Sequence, residues 1–95
     1  MADFHLAIPI HNIPQARHFY ETILECTLGR MSDRWMDVNF WGHQVSLHLV
    51  DTMVVEDPTN SVDADNVPVR HFGLILDWDE WNALSGRLMD ETYAD

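Results

Sequence analysis

The chain has 95 residues, a length that supports one domain with a modest hydrophobic core. Its 16 acidic and 5 basic residues give a formal net charge of −11, so it lacks the basic patch that binding to nucleic acid or to an anionic membrane surface requires. The single cysteine, Cys26, excludes an internal disulfide and fits a reducing cytoplasm, and no signal peptide or membrane-spanning run is expected.

The first two elements are predicted to be a strand and a helix. Residues 3–10 alternate apolar and polar side chains, which indicates a strand with His5 on its polar face. Asn12 is a good helix N-cap, and Pro14 suits the first turn. Apolar residues then recur at helical spacing to about residue 25, so this helix is expected to cover the apolar face of the sheet.

Alternation predicts two further strands, at about 34–41 and at 44–50. Residues 41–43 (WGH) supply a short turn between them, so the two strands should form an antiparallel hairpin. One further short strand is expected near residues 30 and 31. The order of elements in this half is then β-α-β-β, with room for the additional strand.

The end of the chain repeats its beginning. Residues 4–10 (FHLAIPI) are echoed by residues 70–76 (RHFGLIL), and both are followed by a helical pattern. A strand is therefore predicted at 70–77 and a helix at about 79–91, with an inward stripe of Trp81, Leu84 and Leu88. The segment before this repeat is rich in Asp and Pro, which indicates a mobile connection.

In the predicted strands, polar residues fall in one phase and apolar residues in the other. A sheet covered by helices on one face leaves its second face open, so the polar face is the predicted cleft, and an ordinary solvated face is the alternative. The polar phase contains His5, Asp37, Asn39, Gln44, Ser46, His48 and His71.

At these residues the chain resembles the vicinal oxygen chelate superfamily, which includes glyoxalase I, extradiol ring-cleaving dioxygenases and bleomycin- or fosfomycin-resistance proteins. The resemblance covers nearly the whole chain. It is carried by HLAIPI at 5–10, ARHFY at 16–20, IL at 23–24, FWGHQ at 40–44 and VPVRHFG at 67–73. It implies an α+β fold of paired β-α-β-β-β modules: residues 1–52 the first module, 53–68 an acidic connecting loop, and 69–95 an incomplete second module.

The resemblance also implies a divalent metal, Fe²⁺, Mn²⁺, Zn²⁺ or Ni²⁺, in a sheet-lined cleft. His5 and His71 match ligands from the first strand of each module. His48 lies on the last strand of the first module, where metal-dependent members place another ligand. The glutamate that usually comes from the second module has no counterpart on a predicted strand, so a homodimer whose second subunit completes the site is expected.

Such a metal would hold a small substrate through two adjacent oxygens, as in an extradiol dioxygenase or a glyoxalase-type isomerase. The expected substrate-binding residues are Asp37, Asn39, Trp41 and His43. Two alternatives stay open. One is a metal-free protein that binds a small molecule such as an antibiotic, for which an acidic cleft would suit a cationic drug. The other is a fragment without activity.

Overall fold

The computed structural model describes residues 2–51, 59–68 and 70–90. In this part of the chain the main sheet contains β1 (His5–Ile10), β2 (Thr27–Met31), β3 (Trp35–Phe40) and β4 (His43–Leu49), in the spatial order β1-β4-β3-β2. β1 runs parallel to β4, whereas β3 is antiparallel to both β4 and β2. The first unit is thus β-α-β-β-β, so the predicted hairpin and the additional short strand are both confirmed.

One continuous helix connects β1 to β2. Its N-cap is Asn12, whose Oδ1 accepts a hydrogen bond of 2.8 Å from the amide of Gln15. The first part, α1 (Ile13–Arg17), is α-helical, and the second part (His18–Ile23) is a π-helix. The structure confirms the helix that the sequence predicts between these strands. The spacing of apolar residues does not distinguish an α-helix from a π-helix, so the π-helical hydrogen bonding of the second half is not predicted.

The core lies between this helix and one face of the sheet. The four most enclosed side chains are Met36, Val38, Val45 and Leu47, two from β3 and two from β4. Because side chains alternate along a strand, burying these four places their neighbours on the opposite face. Cys26 also belongs to this core, and burial raises the pKa of its thiol, as expected for a structural cysteine.

The predicted connecting segment contains a second, smaller sheet. β5 (Thr59–Val62) and β6 (Asp65–Pro68) pair in antiparallel fashion. Asp63 and Ala64 form the turn with φ of 51° and 70°, as a type I′ hairpin requires. This corrects the loop prediction for residues 59–68, while residues 52–58 lie outside the described part of the chain. The strands were missed because they are short and polar, with no alternation.

The predicted strand at 70–77 is not observed. Residues 71–77 are irregular, and no strand in the described part of the chain pairs with them. A strand exists only when a neighbour completes its backbone hydrogen bonds. The apolar alternation of this segment therefore indicates a propensity to form a strand, but it does not show that a partner strand is present. The side chain of Ile75 is fully exposed as a result.

The second helix, α2 (Trp78–Asp90), confirms the helix predicted near the end of the chain, and residue 91 lies outside the description. Leu84 and Leu88 of the predicted inward stripe are half-buried. Trp81 is exposed instead, and its ring stacks on that of Trp78 at a centroid distance of 5.6 Å. No helix among the described residues has the length and apolarity needed to span a bilayer.

Arg87 attaches α2 to the first unit. Its Nε donates a hydrogen bond of 2.8 Å to the carbonyl of Ile23, and its Nη1 lies 3.1 Å from Oε1 of Glu25. The carbonyl of Ile23 belongs to the last turn of the π-helix, where backbone acceptors lack partners within the helix. The arginine therefore caps one helix with a side chain of the other.

Candidate binding site

The polar face of the main sheet forms the candidate site. β3 and β4 pair Asp37 with Ser46 and Asn39 with Gln44, so these four side chains share one face. β1 adds His5, which pairs with Gln44. The core side chains occupy the opposite face, beneath the helix. The division into an apolar and a polar face that the sequence predicts is therefore confirmed.

Asp37 is a buried charge at the centre of this face, with only 7% of its surface exposed. Its Oδ1 accepts a hydrogen bond of 2.7 Å from the hydroxyl of Ser46, and its Oδ2 accepts one of 3.1 Å from Nε of Arg30. The bond from Ser46 is the main reason that the pKa of Asp37 is lowered; burial opposes it and Arg30 adds to it. Asp37 is consequently held as a carboxylate.

Arg30 is a site residue that the sequence prediction missed. It extends from β2 across Asp37, and its guanidinium carbon lies 5.5 Å from the centroid of the Trp35 ring, within the range of a cation–π contact. Its position depends on how β2 pairs with β3, and that register shifts between Leu28 and Met31. Residue spacing does not reveal such a shift.

A cavity of about 480 Å³ opens on this face. Its walls come from β2, from β3, from the start of β4 and from the residues before β1. Three of the four predicted substrate-binding residues, Asp37, Asn39 and His43, line it. The fourth, Trp41, lines a second cavity of about 430 Å³ between the edge of the sheet and α2. The polar and charged residues around the first cavity are Asp3, Thr27, Arg30, Asp37, Asn39, His43 and Gln44.

Two hydrogen bonds shape the rim of the first cavity at the β3–β4 turn. Oδ1 of Asn39 accepts a bond of 2.8 Å from the amide of Gly42, whose φ is 87°. The amide of Phe4 donates a bond of 2.9 Å to Nδ1 of His43. The oxygen of Asn39 is thus used by the turn, and its NH₂ group is the part that a ligand can contact.

The three histidines predicted as metal ligands occupy different places. His5 pairs with Gln44 and His48 pairs with Pro9, on the same face of β1 and β4. Four positions separate them along the strands, which is about 13 Å at about 3.3 Å per residue. This is a separation between Cα atoms, so both side chains would have to extend towards each other along the sheet to reach one metal ion, whose bonds to nitrogen are only about 2 Å long.

His71 lies on the irregular segment before α2, with Nδ1 at 2.6 Å from the carbonyl oxygen of Pro68. Among the residues that the structure describes, no group of three His, Cys, Asp or Glu side chains is placed to hold a metal ion. The residues described in a single copy therefore do not fit a metal centre. The metal site stays a prediction, and no step is derived through it.

Comparison with known proteins gives structural neighbours only. No protein-family model matches the chain, and no curated protein sequence matches it. The crystal structure of a glyoxalase/bleomycin resistance protein/dioxygenase from Alicyclobacillus acidocaldarius is similar, with a TM-score of 0.72 and 31% sequence identity over 94% of this chain. The chain spans 62% of that protein's length.

Two integron cassette proteins, from the mobile metagenomes of V. cholerae and V. pseudocholerae, are also similar. Each has a TM-score of 0.61 and 18% identity, and the alignment covers 95% of this chain and 66% of the cassette protein. At this identity they show the fold alone. The predicted α+β fold of the glyoxalase type is confirmed by the Alicyclobacillus structure.

Proposed function

We propose that this chain binds a small polar molecule on the polar face of its main sheet. The solved structures confirm that the chain resembles the vicinal oxygen chelate superfamily. The observation that carries the proposal is Asp37, a buried carboxylate held by Ser46 and Arg30 beneath a cavity of about 480 Å³. A buried charge costs free energy unless it is well bonded. Its presence under an open cavity supports a role in binding.

The groups around Asp37 suit a ligand that forms several hydrogen bonds. Asn39 offers its NH₂ group, and Gln44 and His43 lie beside it in the cavity lining. Cavities that bind small molecules often combine a few such polar groups with apolar walls, at volumes of about 300–1,000 Å³. Metal-free binding is preferred to metal-dependent chemistry because this cavity assembles within one copy of the chain.

The proposal is tested by titrating ¹⁵N-labelled protein with a library of small polar molecules. A ligand of this site should shift the amides of residues 27–30, 37–39 and 42–44 and leave α2 unaffected. Gln44→Ala, which leaves the Asp37 ion pair in place, should weaken binding about tenfold through the loss of hydrogen bonds. Asn66→Ala in the exposed β6 strand is the control. Ligands that shift only other regions, or that bind Gln44→Ala as well as wild type, would contradict the proposal.

A second candidate is a divalent-metal centre that binds a small substrate through two oxygens. It is favoured by the dioxygenase and glyoxalase named for the Alicyclobacillus protein, and His5 and His48 lie on one face of paired strands although four positions separate them. His5, His48 and His71 would hold the metal, with ligands contributed by two subunits of a dimer. Imidazole suits Fe²⁺, Mn²⁺, Zn²⁺ and Ni²⁺, and such an ion would act as a Lewis acid on the substrate.

The metal candidate is tested by measuring the metal-to-protein ratio after dialysis against each ion. Stoichiometric uptake that His5→Ala and His71→Ala abolish, and that the exposed-site control His11→Ala retains, would support it. Light scattering with and without metal would report whether a dimer accompanies uptake. Uptake that both variants retain would contradict histidine ligation.

A further inference from the structure

We propose that the cavity on the polar face selects a carboxylate-bearing small molecule, and that Arg30 is the residue that binds the carboxylate. This inference rests on the proposed function, because it requires a ligand on that face. The proposed function specifies only a small polar ligand. The inference adds that this ligand is negatively charged and that the guanidinium of Arg30 binds it. It also reverses the expectation of a cationic ligand that the acidic composition suggests.

The first step concerns which charge a ligand meets. Asp37 and Arg30 form an ion pair in the lining of the cavity, where the side chain of Asp37 is only 10% exposed whereas that of Arg30 is 78% exposed. Both oxygens of Asp37 are bonded, one to Ser46 and one to Arg30. A cation entering the cavity would find the carboxylate covered. An anion would find the guanidinium open.

The second step concerns the orientation of Arg30. Its Nε is fixed on Asp37 at 3.1 Å, and its guanidinium carbon lies 5.5 Å from the centroid of the Trp35 ring. A guanidinium has five N–H donors, so four remain on the two terminal nitrogens, and the described residues supply no hydrogen-bond acceptor for them. Such a planar, pre-oriented fork matches a carboxylate with two parallel hydrogen bonds.

The third step weighs the charge of the whole protein. The net charge of −11 repels anions, but salt limits this repulsion to about 8 Å at physiological ionic strength. Within the cavity lining, Asp3 is the other exposed charge beside Arg30, since Asp37 is buried. Contact with the guanidinium therefore decides which ligand charge the cavity selects. Asp3→Asn removes the exposed negative charge of the lining, so it should strengthen the binding of an anion.

The experiment uses three probes with the same ring and planar head groups of different charge: benzoate, benzamide and benzamidine. Each is titrated into the ¹⁵N-labelled protein, and the shifts of the cavity amides give the dissociation constant. We expect benzoate to bind most tightly and benzamidine most weakly. Arg30→Lys keeps the charge and a partner for Asp37 but loses the fork, so it should weaken benzoate about tenfold and leave benzamide unchanged.

The matched control is Arg34→Lys, because Arg34 is an exposed arginine paired with Asp51 at 3.5 Å and does not line the cavity. It should leave all three dissociation constants unchanged. Tighter binding of benzamidine than of benzoate, or equal benzoate binding by Arg30→Lys and wild type, would overturn the inference while the polar face kept its ligand. Failure of all three probes would also overturn it. The proposed function fails separately, when the wider library gives no ligand of this face.

Discussion

The hydroxyl of Ser46 and the carboxylate of Asp37 face each other across the β3–β4 pair, with a hydrogen bond of 2.7 Å between Oγ and Oδ1. Both side chains are buried. A hydrogen bond to an ionised acceptor is shorter and stronger than a neutral one. The same bond therefore links the side chains of β3 and β4 and holds the carboxylate of Asp37 in the lining of the cavity.

Ser46→Ala should lower the free energy of unfolding by about 1–3 kcal/mol, because it leaves a buried carboxylate oxygen without its donor. Urea unfolding at neutral pH measures this change. Ser61→Ala, in the exposed strand β5, is the matched control and should change stability by less than about 0.5 kcal/mol. Similar effects of the two substitutions would show that the buried bond contributes little.

The stability of the protein should fall in acid through Asp37. Its pKa is lowered in the folded state, mainly by Ser46, so the unfolded chain binds more protons as the pH decreases. The stabilisation is complete above the ordinary aspartate pKa of about 4 and is lost as the pH falls through the folded value. Wild type should lose stability more steeply than Ser46→Ala below about pH 4. Urea unfolding across this range gives both slopes, and parallel slopes would contradict the assignment.

Leu47→Ala should destabilise the protein by about 2–5 kcal/mol, because Leu47 is fully buried in the core and its truncation leaves a cavity. Ile75→Ala removes a similar apolar volume from a fully exposed position and should have little effect on a single copy of the chain. Chemical unfolding of the two variants makes the comparison. A large loss for Ile75→Ala would show that residues 71–77 are covered in solution.

Arg87→Met should loosen α2, because it removes both the hydrogen bond to the carbonyl of Ile23 and the ion pair with Glu25. Amide exchange of residues 78–90 should accelerate about tenfold, which corresponds to about 1.4 kcal/mol. Glu25→Gln removes only the exposed ion pair and should have a much smaller effect. Mass spectrometry of the exchanged helix peptide measures both. Unchanged exchange in Arg87→Met would contradict the anchoring role.

The sequence predicted the main sheet well because alternation carries direct physical information. Met36 and Val38 alternate with Asp37 and Asn39 along β3. Burying the two apolar side chains on one face of the sheet therefore places the two polar side chains on the other face. Alternation therefore predicts that Asp37 and Asn39 face a cleft, and both line one cavity together with His43, which is predicted on the turn between the two strands. The helix start was predicted from the capping preference of Asn12, which is equally local.

What depends on pairing between distant strands could not be predicted in this way. Arg30 contacts Asp37 through the register of β2 against β3, and residues 71–77 have strand propensity without an observed partner. The separation of His5 from His48 likewise follows from the parallel register of β1 and β4. Repetition of a sequence pattern places a histidine on a face, but only register determines its distance from another histidine.

The bond between the amide of Phe4 and Nδ1 of His43 determines which nitrogen of that neutral ring carries hydrogen. A neutral imidazole has one donor and one acceptor, so the hydrogen lies on Nε2. The ring can consequently donate a hydrogen bond from Nε2 to a molecule in the cavity, and it favours carbonyl or carboxylate oxygens there. To offer a lone pair from Nε2 instead, it would have to change tautomer and release the chain just before β1.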